Sequence, residues 1–213
     1  MSISAVFSHL AETTPVTLAV LAVLIAFAFA MFSAGKKVRW DARSLAYAAL
    51  CVSLSYILSC IRLYRFSFGG SITLLSMLPI LLFSLAQGSS RGIVLGCAYG
   101  LLQLIQDFYF AHPVQLLLDY PVAFAMLGLA GFARHLPERV RIPAAVIIGA
   151  AGRWLVHVIS GAVFFGSYAA PGQTALAYSL IYNLGYMGPD AALCLIAALA
   201  PFTRHLLKLI PRK

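Results

Sequence analysis

The segment IPAAVIIGAAGRWLVHVISGAVFF, residues 142–165, decides the fold. At about 1.5 Å of rise per residue it is long enough to cross a hydrocarbon core of roughly 30 Å. It lacks the in-and-out alternation that a membrane β-strand shows over about ten residues. A helix satisfies its own backbone N–H and C=O groups, which the bilayer requires. The segment is therefore expected to be a transmembrane helix, with Arg153 and His157 set inside it.

Six comparable runs lie on either side, at approximately 15–34, 43–61, 71–87, 91–109, 114–133 and 174–201. The whole chain is 62% hydrophobic and 10% charged. A soluble domain carries about 25% charged residues, so this chain reads as an all-α integral membrane protein. The first run exceeds the usual signal-peptide core of about 7–15 residues, and Glu12 but no Lys or Arg precedes it. It is expected to be a retained helix.

A net charge of +9 would hint at nucleic acid in a soluble protein. Here the basic residues sit between apolar runs, so no nucleic-acid partner is expected. Lys36, Lys37, Arg39 and Arg43 follow the first run, Arg91 the third, and Arg134, Arg139 and Arg141 the fifth. Arg204, Lys208, Arg212 and Lys213 close the chain, whereas the opposite side carries Arg62 and Arg65. The positive-inside rule then predicts an external N-terminus and a cytoplasmic C-terminus. The outer loops fall near 62–70, 110–113 and 166–173. The first contains Tyr64, Phe66, Phe68, Gly69 and Gly70, suited either to a lid or to an interfacial aromatic belt.

Ionisable groups inside a membrane are costly and point to function. Asp107, Asp119, Arg153, His157 and Asp190 are the candidates. Counting rise from the outer helix ends places Asp119 roughly 7 Å deep, His157 roughly 12 Å, Tyr178 roughly 6 Å and Asn183 roughly 13 Å. That convergence predicts one outward-facing pocket. Tyr120, Tyr178, Phe164 and Phe165 supply rings beside the Asp119 carboxylate, a setting suited to an organic cation or heteroaromatic amine.

Each residue also has a structural reading. Asp119 could pair with Arg153, His157 could bond a neighbouring helix, Tyr178 could sit in an interfacial belt, and Asn183 could join helices. Asp107 and Asp190 lie near helix ends or kinks, and Pro79 and Pro189 are expected to mark kinks. Cys51, Cys60, Cys97 and Cys194 show no metal-ligand or CxxC spacing and read as small core or lipid-facing residues. No metal or cofactor is expected.

A separate signal lies in the second run. Ala42, Ala46, Ala49 and Ser53 recur on one helical face, and small residues let helices approach closely. The stripe serves either packing within the bundle or docking to another membrane protein.

Two runs carry a resemblance. Gly69-Gly70-Ser71-Ile72-Thr73-Leu74-Leu75-Ser76-Met77-Leu78-Pro79 and His112-Pro113-Val114-Gln115-Leu116-Leu117-Leu118-Asp119-Tyr120-Pro121, with His157, Gly161, Tyr168, Tyr178-Ser179-Leu180 and Asn183, resemble the thiamine-specific S-components of energy-coupling factor (ECF) transporters. The resemblance spans about 43–203 and implies a six-helix core without catalysis of its own. The expected organisation is an extra N-terminal transmembrane helix and basic loop over 1–40, then a substrate-binding membrane domain over 41–213. By the same resemblance Asp119, Tyr120, His157, Tyr178 and Asn183 contact thiamine, and Phe165 supplies a stacking face. Some members carry Glu where this chain has Asp119, and Trp in the stretch held here by Phe164-Phe165.

The implied function is thiamine capture at the outer face of a bacterial cell membrane, for ATP-driven uptake. The chain lacks a GxxxxGK[ST] phosphate loop, so a transmembrane coupling subunit and two ATPase subunits are the expected partners. The alternatives are an S-component for another vitamin or a thiamine precursor, or an intramembrane enzyme using Asp119 and His157. No GxSxG or HExxH motif accompanies that pair.

Overall fold

The computed structural model describes residues 39–66 and 69–210, together with Ala22, Ile25 and Phe29. Most of the expected helix over 15–34 lies outside the described residues, as do Lys36, Lys37, Phe68, Arg212 and Lys213.

Six helices form the described bundle: α1 (Ala42–Cys60), α2 (Leu78–Gln87), α3 (Ser89–Gln106), α4 (Pro113–His135), α5 (Glu138–Phe164) and α6 (Ala175–Leu199). Of these, α1, α4, α5 and α6 are long and apolar enough to cross a membrane. A short helix, α7 (Pro201–Leu209), follows. Among the described residues Arg39, Arg91 and Arg134 gather at one end, around Gly88, and Arg62 and Arg65 stand on the hairpin at the other.

The sequence expects one helix over 71–87, and the structure divides that run. Arg62–Arg65 (β1) and Ser71–Thr73 (β2) pair as an antiparallel hairpin, with Arg62 opposite Thr73 and Arg65 opposite Ser71. Gly70 adopts φ +83°, and a Cβ there would stand 2.8 Å from the Tyr186 ring, so glycine lets the hairpin close onto α6. Helix α2 begins only at Leu78. Pro79 sits in its first turn, where no N–H is needed, so it starts a helix and does not kink one. Pro189 does lie inside α6.

All of α2 is buried, including Ile80, Leu81 and Phe83 with no exposed surface. It forms the centre of the main core with Tyr99, Phe124, Leu127 and Cys194. Helices α3 and α4 meet backbone to backbone: a Cβ on Gly96 would stand 2.3 Å from the Phe124 carbonyl oxygen, one on Gly100 2.5 Å from that of Tyr120, and one on Gly128 2.2 Å from the Ile93 nitrogen. Close packing of this kind replaces the hydrophobic drive that lipid removes.

Helix α1 is capped by Asp41, whose carboxylate accepts the Ser44 N–H at 3.3 Å. It buries Ser44, Ala48, Cys51, Ser55 and Ser59. Ala42, Ala46, Ala49 and Ser53 lie outside that stripe and are exposed. Packing within the described bundle therefore leaves them uncovered.

Candidate substrate-binding site

A cavity of about 130 Å³, open on one side, lies between the hairpin and the adjoining ends of α3 to α6. Asp119, Tyr120, His157, Phe165, Tyr178 and Asn183 all line it. The residues singled out in the sequence thus converge on one space.

Helix α4 places Asp119 through a local irregularity. Leu118–Val122 forms a π-helical turn that contains Pro121, which lacks the N–H a regular helix would use. Asp119 Oδ2 accepts Gln115 Nε2 at 2.6 Å, and Oδ1 lies 3.2 Å from His157 Nδ1. An ionised carboxylate only accepts, so Nδ1 carries the imidazole proton. His157 Nε2 then accepts Arg153 Nε at 3.4 Å. The chain Arg153, His157, Asp119, Gln115 fixes one tautomer and one carboxylate orientation.

Arg153 does not pair directly with Asp119. Its guanidinium lies 4.0 Å from the Phe124 ring centroid, a cation–π contact within the core. Gln115 is 1% exposed, and its Oε1 accepts the Ala111 N–H, so it ties the loop before α4 to the Asp119 carboxylate.

Helix α6 supplies an aromatic wall. Tyr178 and Tyr182 stack with centroids 5.7 Å apart, and Tyr182 and Tyr186 meet edge to face. Tyr182 donates to the Gly69 carbonyl at 2.6 Å, and Phe66 packs against both Tyr182 and Tyr186. The hairpin is thereby held over the cavity. Asn183 donates from Nδ2 to the His157 carbonyl at 3.2 Å and accepts the Tyr186 hydroxyl at 2.9 Å. It both joins α5 to α6 and faces the cavity.

Two predicted groups are turned to other work. The Tyr120 hydroxyl donates to the Asp107 carbonyl and accepts the Tyr109 N–H at 3.0 Å, so it anchors the loop while its ring lines the cavity. Phe164 stacks on His112, outside the cavity lining, whereas Phe165 faces inward near Tyr109. Burial, and then the Tyr168 hydroxyl, hold the Tyr109 phenol above its ordinary pKa, so it stays neutral.

The acids at helix ends have defined partners. Asp107, the C-cap of α3, pairs with Arg65 at 2.7 Å and Arg62 at 3.5 Å. Asp190 is 2% exposed, and its Oδ1 accepts both the N–H and the hydroxyl of Thr73, locking β2 to α6. Both acids also line the cavity. No group of metal-ligating side chains occurs among the described residues.

Sequence reasoning missed Gln115, Tyr182 and Tyr186. The signals were present: Gln115 precedes Asp119 by one turn, and Tyr182 and Tyr186 follow Tyr178 at intervals of four. Asp190 gave none for its bond to Thr73, a contact across 117 positions.

Residues 45–210 match the thiamine transporter protein family (Thia_YuaJ). The chain is 44% identical over 140 residues to the thiamine transporter ThiT of Bacillus subtilis (strain 168), covering 60% of this chain and 72% of the relative. It is 32% identical over 124 residues to the thiamine transporter ThiT of Lacticaseibacillus paracasei, covering 51% and 62%. Its fold is similar to a solved structure of ThiT from Listeria monocytogenes, with a TM-score of 0.58 and 25% identity over 78% of this chain and 93% of that one.

Proposed function

The chain belongs to the thiamine transporter family, and from that premise we propose that it is the S-component of an ECF importer, capturing thiamine at the outer face of a bacterial cell membrane. It is a multi-pass membrane protein, and a transporter rather than an enzyme.

One observation carries the ligand assignment. Asp119 is held by Gln115 and His157 in a cavity walled by Tyr178, Tyr182 and Phe165. Within that cavity Asp119 and Asp190 face a single guanidinium, that of Arg153. The Asp119 carboxylate and the aromatic faces suit a heteroaromatic cation. Asp119, Tyr120, His157, Phe165, Tyr178 and Asn183 are the proposed contacts.

The exposed stripe of Ala42, Ala46, Ala49 and Ser53 is the proposed docking face for the transmembrane coupling subunit, which two ATPase subunits would drive. Residues 1–40 are proposed to add one further span and a basic loop ahead of the 41–213 binding domain. The basic residues favour an external N-terminus and a cytoplasmic C-terminus.

Titration of the detergent-purified protein with thiamine, riboflavin and biotin tests the reading. Saturable binding of thiamine alone is expected. Preference for riboflavin or biotin would make it an S-component for another vitamin, and recovery of chemically altered ligand would revive the enzyme alternative.

A further inference from the structure

The chain leaves the bundle through a helix unlike the others. Helix α6 begins on the hairpin side, where Tyr182 donates to the Gly69 carbonyl, and so runs to the opposite, basic end. There Ala200 is extended, with φ −66° and ψ 141°, and Pro201 opens α7. A residue ahead of proline is pushed out of the helical region, so α6 stops and the chain changes direction.

At about 3.6 residues per turn, α7 presents three faces. Thr203 and Leu207 are buried, and Leu207 joins the main core with Ile210, so one face is packed on the bundle. The Thr203 hydroxyl donates to the Ala197 carbonyl and holds the turn. A second face carries Phe202, 67% exposed, and Leu209, 52% exposed. The third carries Arg204, His205 and Lys208, all exposed and with no acidic partner among the described residues. The sequence holds no acid after Asp190.

The exposed apolar face identifies what covers it. Ile196 and Leu199, in the last turns of α6, are exposed as well, and α6 is long and apolar enough to cross a membrane, so these side chains meet acyl chains. Phe202 follows Leu199 by three residues and extends the same apolar surface along the chain. An apolar flank beside a basic edge is the pattern of a helix lying in the plane of the membrane interface. Long basic side chains at that depth reach the headgroups, and an anionic leaflet attracts them.

We propose that α7 is an interfacial anchor that binds anionic phospholipid at the basic end of the bundle. Phe202 and Leu209 enter the acyl boundary, and Arg204 and Lys208 meet the headgroup phosphates. The anchor is a second binding surface, at the end of the bundle away from the cavity, and does not depend on which ligand the cavity takes.

The test is native mass spectrometry of the purified full chain equilibrated with equimolar phosphatidylglycerol and phosphatidylcholine. The wild type is compared with Arg204→Gln/Lys208→Gln and with a control, Arg43→Gln/Arg139→Gln, which removes two exposed charges at the starts of α1 and α5. The wild type is expected to retain phosphatidylglycerol in excess. That excess should fall about fivefold or more in the α7 pair, because each basic side chain near an anionic surface contributes about fivefold in affinity. The control should keep it, and thiamine affinity should be the same in all three, since none of these residues lines the cavity.

Equal retention of both lipids by the wild type would overturn the anchor. A control that loses as much as the α7 pair would overturn it too, because the preference would then belong to the basic end as a whole. So would an α7 pair that keeps the lipid preference; if that pair also fails to co-purify with a coupling subunit, the basic face is a protein contact instead.

Discussion

The two ends of this bundle solve opposite problems. Toward the basic end, α2 is buried along its whole length, and glycines bring α3 and α4 into backbone contact. Toward the hairpin end, the same α4 opens into a π turn, and the space fills with tyrosines, carboxylates and amides. Substitutions at the packed end should act on folding. Those at the open end should act on the ligand, because the polar groups there hold one another in place without being the main core.

The largest effect is expected at the packed end. Gly96→Leu drives a side chain into the Phe124 backbone, with nothing flexible to yield. Loss of monodisperse protein on size-exclusion chromatography is the predicted result. A well-folded Gly96→Leu with normal ligand binding would mean that α3 and α4 are not packed as described.

At the open end, His157→Ala removes the partner of Asp119 Oδ1 and one ring from the cavity. About a tenfold loss of thiamine affinity is expected, corresponding to ~1.4 kcal/mol, with the fold retained. Gln115→Ala should cost less, roughly three- to tenfold, since it frees the carboxylate but leaves the aromatic faces of the cavity in place. If calorimetry finds the Gln115 effect larger than that of His157, the loop before α4 matters more than the tautomer chain.

Ala49→Trp should have the smallest effect on the ligand. Its position is exposed on α1, away from the cavity lining. Thiamine binding by the isolated chain should stay unchanged, while co-purification with a coupling subunit and ATP-driven uptake are lost. Loss of binding together with assembly would place the stripe inside the bundle's own packing.

The same contrast explains what the sequence could reveal. Long apolar runs announce helices by length alone, so α1, α3, α4, α5 and α6 were legible within a few residues. Depth along those runs then gathered Asp119, His157, Tyr178 and Asn183 into one pocket. The hairpin was hidden because Ser71–Thr73 continues an apolar run, and only its long-range bonds to Asp190 and β1 make it a strand. Likewise the Asp107–Arg62–Arg65 cluster joins residues more than 40 positions apart. Periodicity reports which face a residue occupies on its own helix, not which helix lies opposite.

The Asp119 carboxylate is proposed to recognise the cation from its seat on the π turn. Calorimetric titration of thiamine into Asp119→Asn, beside the wild type, tests it most directly. The substitution keeps shape and removes charge. A ten- to hundredfold weaker affinity, on the order of 1.5–3 kcal/mol, is expected, with an unchanged melting profile. Unaltered thiamine affinity in a correctly folded Asp119→Asn would contradict it.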